Sequence, residues 1–169
     1  MQNWDEILYP SFRAIIRGTY YGYISQDDLD EECFYLAERA VATFKFPKIS
    51  TDYTVFYAIR RQDGTLEEVP PDTDGAIKHA YFNEDVTSAE IAILIAWMKV
   101  YWCEKQISNA DNFEDLYTDV NIKTYSRANA VDKNLKLMAE FRDYARRLET
   151  DYSRTSPERT PTIGRINDD

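Results

Sequence analysis

The chain has 169 residues, 44% hydrophobic and 30% charged, enough to bury a core without metals or disulfides. Its formal charge of −10 argues against a general nucleic-acid binder, which has to neutralise phosphates. Cys33 and Cys103 lie in apolar helical patterns and form no C-x-x-C pair, so both read as small core residues in a reducing compartment. The start, Met-Gln-Asn-Trp-Asp-Glu, lacks the basic region of a secretory signal, and no apolar run is long enough for a membrane span. A soluble protein made in the cytoplasm is expected.

In chain order, Trp4, Leu8, Phe12 and Ile15/Ile16 recur at helical spacing over 4–17, with Pro10 allowing a kink or a fresh start near Tyr9 and Gly18 a stop. Residues 18–23 form an aromatic loop that reads as a packing corner. Ser25, followed by Asp28, opens a second helix, whose stripe of Leu29, Cys33, Leu36, Ala37, Ala40, Val41 and Phe44 ends before Pro47. The acids at 27–32 suggest either a metal site or complementation of the helix dipole. A solvated, acidic first turn explains them better.

The period then changes. Tyr53, Val55, Tyr57 and Ile59 alternate with their neighbours as in a strand, and Gln62-Asp63-Gly64-Thr65 signals a hairpin returning through Leu66–Val69. Ile77–Phe82 supplies a third strand. Thr87 and Glu90 make a T-x-x-E capping box for a central helix over 87–107. From Ile91 to Cys103 only Lys99 is neither apolar nor aromatic, so several faces of this helix must be covered. Residues 108–125 read as a polar loop. A last helix starts at Thr124 or Ser126 and carries one stripe: Val131, Leu135, Met138, Phe141, Ala145, Leu148 and Tyr152. From Ser153 the composition cannot build a core, and an extended arm is expected.

The expected architecture is therefore α+β and mostly helical, a bundle around helix 87–107. It is a single domain over 1–152 with a small hairpin or sheet at 53–82, followed by a C-terminal arm at 153–169.

Charge is polarised along the chain. Residues 1–122 hold 10 Lys/Arg against 22 Asp/Glu, whereas 123–165 hold 10 against 6. Such polarity suits head-to-tail pairing of subunits. The residues expected to meet partners are Arg142, Arg146 and Arg147 on the basic helix, and Arg154, Arg159, Ile163, Arg165 and Ile166 on the arm. The hairpin at 53–69 is a further edge that could extend a neighbour's sheet.

Catalytic signals are weak. A nucleophilic triad would have to use His79, the one histidine, and would need a pocket beside it. No His/Cys spacing fits zinc, and no glycine stands in a phosphate-binding context. No catalytic, metal or cofactor residue is assigned, and a non-enzymatic protein is expected.

The stretch Asp85-Val86-Thr87, Glu90-Ile91, Ile93-Leu94, Trp97-Met98, Trp102 and Gln106-Ile107 resembles a small virion protein of tailed bacteriophages of Gram-positive-type hosts. So does Tyr125-Ser126 with Ala128-Asn129. The resemblance covers about 85–150 and implies a head–tail connector or neck component: a helical subunit of a homo-oligomeric ring that binds portal and adjacent neck or tail proteins. It would line the channel through which packaged DNA passes, at the head–tail junction of the virion, and it implies no catalytic residues. The alternatives are a tail-terminator or tail-completion protein, or an acidic DNA mimic that inhibits a host nuclease. A mimic requires acids arrayed at phosphate spacing on one face.

Overall fold

The computed structural model describes residues 2–15, 25–112 and 123–155, with backbone only at 15, 109–112, 123–131, 133 and 134. The elements run β1 (Gln2–Asn3), α1 (Trp4–Ile7), α2 (Tyr9–Ile15), α3 (Gln26–Thr43), β2 (Tyr53–Arg60), β3 (Leu66–Glu68), β4 (Ile77–Phe82), α4 (Ser88–Asn112) and α5 (Lys123–Arg154). The fold is α+β, with a helical layer on a curled, four-stranded antiparallel sheet of order β1-β4-β2-β3.

Local chemistry places most boundaries. Ser25 caps α3, its hydroxyl accepting the Asp28 backbone N–H at 3.1 Å. The break at Leu8 divides α1 from α2 two residues before Pro10, whose ring lacks the N–H a continuous helix would use. The β2–β3 turn closes through Arg61 N–H to Thr65 C=O (2.8 Å) and Gly64 N–H to Arg61 C=O (2.9 Å). Gly64 stands at φ +86°, in the left-handed region that a side chain disfavours. A Cβ there would meet nothing within 4 Å, so Gly64→Ala tests backbone strain alone. The expected loss is about 1 kcal/mol, read as a lower urea midpoint at unchanged slope. An unchanged midpoint would show that the turn relaxes freely.

Four sequence expectations are revised. β1 was not foreseen. It pairs Gln2 with Phe82 and Asn3 with Tyr81, and two residues carry no periodicity to read. The polar stretch after the central helix is helical through Asn112, and the last helix is already formed at Lys123; Asn- and Asp-rich composition lowers helix propensity without forbidding it. Ser153 and Arg154, expected in the arm, belong to α5. Asp30, expected on a solvated turn, is 2% exposed and ion-paired. The loop at 18–23 and its Gly18 stop, the span 113–122 and the arm beyond Thr155 lie outside the described residues.

The core forms where α4 meets everything else. Ile93–Met98 and Val100 are all buried, as the unbroken apolar run requires, and Lys99 between them is half-buried. Trp4 joins the helices to the sheet, its ring lying 4.8 Å from Tyr53, 5.4 Å from Phe82 and 5.6 Å from Phe34. The opposite sheet face carries a second aromatic group. Phe56 stacks on its cross-strand partner His79 at 5.5 Å, with Tyr81 diagonal at 6.0 Å. Both cysteines are buried thiols, and burial pushes each up to about 11.

Candidate interaction surface

α4 packs on α3 along one side and on α5 along another, and both neighbours run antiparallel to it. On the α3 side, Arg39 pairs with Glu104 at 2.9 Å and lies 4.0 Å above the Tyr101 ring, while Thr43 and Tyr101 share a hydroxyl–hydroxyl bond. Lys105 reaches Glu32 at 3.1 Å. On the α5 side, the Trp97 indole N–H donates to Glu149 at 3.0 Å, and the Lys99 ammonium lies 5.7 Å from the Phe141 ring. Burial pushes that ammonium down from its ordinary value.

One carboxylate ties the ends of these helices together. Glu90 is fully buried and accepts the backbone N–H groups of Thr87 (2.8 Å), Ile49 (3.1 Å) and Lys48 (3.2 Å), as well as the hydroxyls of Thr87 (2.9 Å) and Tyr152. Burial alone would push its pKa up. The bonds from Tyr152, Thr87 and Ile49 outweigh burial and hold it below the ordinary carboxylate value. Burial, and after it the same contact, push the Tyr152 phenol up to about 12. The capping box expected from sequence is therefore present, and it also anchors α5 and the loop before β2.

With α5 pinned this way, the residues expected to meet partners can be placed. Arg146, Arg147 and Arg154 are exposed, and Arg142 is half-buried with its guanidinium 3.9 Å from the Met138 sulfur. The face is less purely basic than expected, because Asp132, Glu140, Asp143 and Asp151 are exposed on the same helix. Arg159, Ile163, Arg165 and Ile166 lie outside the described residues. Leu135, expected in the buried stripe, is 44% exposed. It sits about 80° around the helix from fully buried Ala145 at 3.6 residues per turn, which takes it off the seam. Val131 has no described side chain.

The acids map unevenly. Asp27 and Asp30 are held by Arg60, and Asp30 by Arg13 as well. Glu67 pairs with Arg61 at 2.9 Å. What remains exposed on α3 is Asp28, Glu31 and Glu38, with Tyr35 among them at 51% exposure. The sequence reading overlooked Tyr35, although a helical wheel of α3 places it on the polar face. On the sheet, β3 pairs with β2 only at Ala58–Arg60, with Tyr57 C=O also accepting Val69 N–H at 2.9 Å. Among the described residues, no strand lies beside Tyr53–Phe56 on that edge.

A nucleophilic triad built on His79 lacks its geometry among the described residues. His79 is 0% exposed, its Nδ1 meets Asp5 at 2.9 Å, and its Nε2 has no hydrogen-bond partner among the described residues. No group of His, Cys, Asp and Glu able to hold a metal ion occurs among the described residues, and none of their helices is long and apolar enough to cross a membrane. No protein-family model matches the chain, and neither a curated protein nor a solved structure matches it.

Proposed function

We propose that this chain is a non-enzymatic structural subunit of a bacteriophage head–tail connector, an adaptor or neck ring that joins portal to tail and lines the DNA channel. The carrying observation is α5, a 32-residue helix anchored to the acidic body by one stripe and presenting Arg146, Arg147 and Arg154 outward. A subunit with an acidic body and a last helix of net positive charge, eight Lys/Arg against five Asp/Glu, has two unlike surfaces, which is what a heterologous ring interface uses. The net negative charge also suits a channel wall that DNA slides past without binding. The resemblance over 85–150 points the same way. In this role the protein resides at the head–tail junction of the virion, and its partners are further copies of itself, portal, and adjacent neck or tail proteins.

Light scattering coupled to size exclusion, with the full chain alone and mixed with portal, tests the reading. A defined oligomer or a stable portal complex is expected. A chain that stays monomeric and binds neither portal nor neck partners would sink it. Binding to tail-tube ends in place of portal would instead favour a tail terminator. The DNA-mimic reading is disfavoured by Arg13 and Arg60, which neutralise part of the 27–32 acid cluster.

A further inference from the structure

Two helical stripes at the surface of this chain, exposed but for half-buried Arg142, complement each other, and the fold keeps them apart. On α3, Asp28, Glu31, Tyr35 and Glu38 recur at steps of three, four and three, which places them on one ridge of the helix. On α5, Leu135, Ala139, Arg142 and Arg146 recur at steps of four, three and four. At 1.5 Å per residue the stripes span about 15 Å and about 16 Å. Each joins ionised groups of one sign to an exposed apolar side chain, Tyr35 at 51% and Leu135 at 44%. Arg39 lies beside the first, over the Tyr35 ring, and Asp132 and Asp143 flank the second.

The Tyr35 side is also pre-organised. The Arg39 guanidinium sits between the Tyr35 ring (5.8 Å) and the Tyr101 ring (4.0 Å), and Tyr101 stacks on Trp97 at 6.2 Å. A tyrosine held this way loses little rotamer freedom on binding, as interface aromatics require. The stripes cannot satisfy each other within one chain. α4 lies between the two helices, which meet where Phe44, at the α3 C-cap, touches Tyr152 at 5.8 Å.

We propose that the α3 stripe of one copy docks on the α5 stripe of the next, making a heterologous, head-to-tail interface between copies of this chain. This names the self-contact of the ring reading and rests on it. With the two helices antiparallel and Tyr35 packed on Leu135 and Ala139, Glu31 lies opposite Arg142 and Asp28 opposite Arg146. Repetition closes a ring if the rotation allows and a filament if it does not.

Charge reversal on the full chain tests this. Asp28→Arg with Glu31→Arg, or Arg142→Glu with Arg146→Glu, should each weaken self-association by at least about tenfold in sedimentation velocity, and raised salt should weaken the wild type too. All four changes in one chain, or an equal mixture of the two double variants, should restore it, since basic α3 stripes then meet acidic α5 stripes. Thermal unfolding of each variant reads out folding independently. Oligomers that survive both reversals would overturn this pairing while leaving the ring reading in place, as would loss without rescue by folded variants. A wild type that neither self-associates nor binds portal would overturn both.

Discussion

Asp30→Ala is expected to cost about 3–5 kcal/mol of folding stability, the range for removing one partner of a buried ion pair. The carboxylate is 2% exposed and accepts guanidinium N–H bonds from Arg13 and from Arg60, with the Gln26 amide donating at 3.1 Å. It therefore joins α2, α3 and β2, three elements with few other polar ties. Arg60 spreads the network further, donating to Asp27 at 3.0 Å and to the Gly64 carbonyl at 3.0 Å. Removing Asp30 leaves the part-buried Arg13 without a counter-charge and Arg60 with Asp27 alone, and that uncompensated charge is the larger part of the loss. An apolar replacement of the whole triad (Asp30→Leu, Arg13→Met, Arg60→Met) should recover most of the stability, because the only charge then left without its partner is Asp27, which is open to solvent. Urea unfolding of the two variants decides the matter. A loss below about 1 kcal/mol for Asp30→Ala would mean that solvent already screens the pair.

This network marks where sequence reading stops. Features fixed by neighbours in the chain were legible: the Ser25 cap, the Gly64 turn, the alternation of β2 and the Thr87–Glu90 box each depend on residues within a few positions. The covered central helix was legible too, since a run from Ile91 to Cys103 broken only by Lys99 demands cover on several sides, and within it only Ala92 is exposed. Asp30 was not. Its burial depends on Arg13 and Arg60, 17 and 30 positions away, and nothing in an acidic first turn distinguishes the carboxylate they select. The two-residue β1 likewise exists only because β4, some 80 positions on, offers an edge. The candidate surface divides the same way. Its charges could be counted from the sequence, whereas the exposure of Tyr35 and Leu135 follows from how far α4 reaches around each neighbour.

Glu90→Gln should lower stability at neutral pH by about 2–4 kcal/mol, through loss of hydrogen bonds to a charged acceptor and the burial of donors left facing an amide NH2. At about 2–4 °C per kcal/mol for a chain of this size, the melting temperature falls by roughly 4–16 °C. The pH dependence separates charge from shape. A carboxylate held below its ordinary value contributes stability that is complete above the unfolded pKa, ordinarily about 4.3, and is lost as pH falls through the folded one. The gap between wild type and Glu90→Gln should accordingly be widest at neutral pH and close in acid, where the wild-type side chain becomes neutral as well. Tyr152→Phe should show a smaller loss, about 1–2 kcal/mol, since the Thr87, Lys48 and Ile49 donors keep their acceptor. A gap that stays constant from pH 7 to the acid limit would show that side-chain shape, and not the negative charge, is what α4, α5 and the loop before β2 are built around. In that case the capping box would be a local helix start. If the gap closes as expected, Glu90 is the common anchor that holds α5 in place and sets where its outer stripe points.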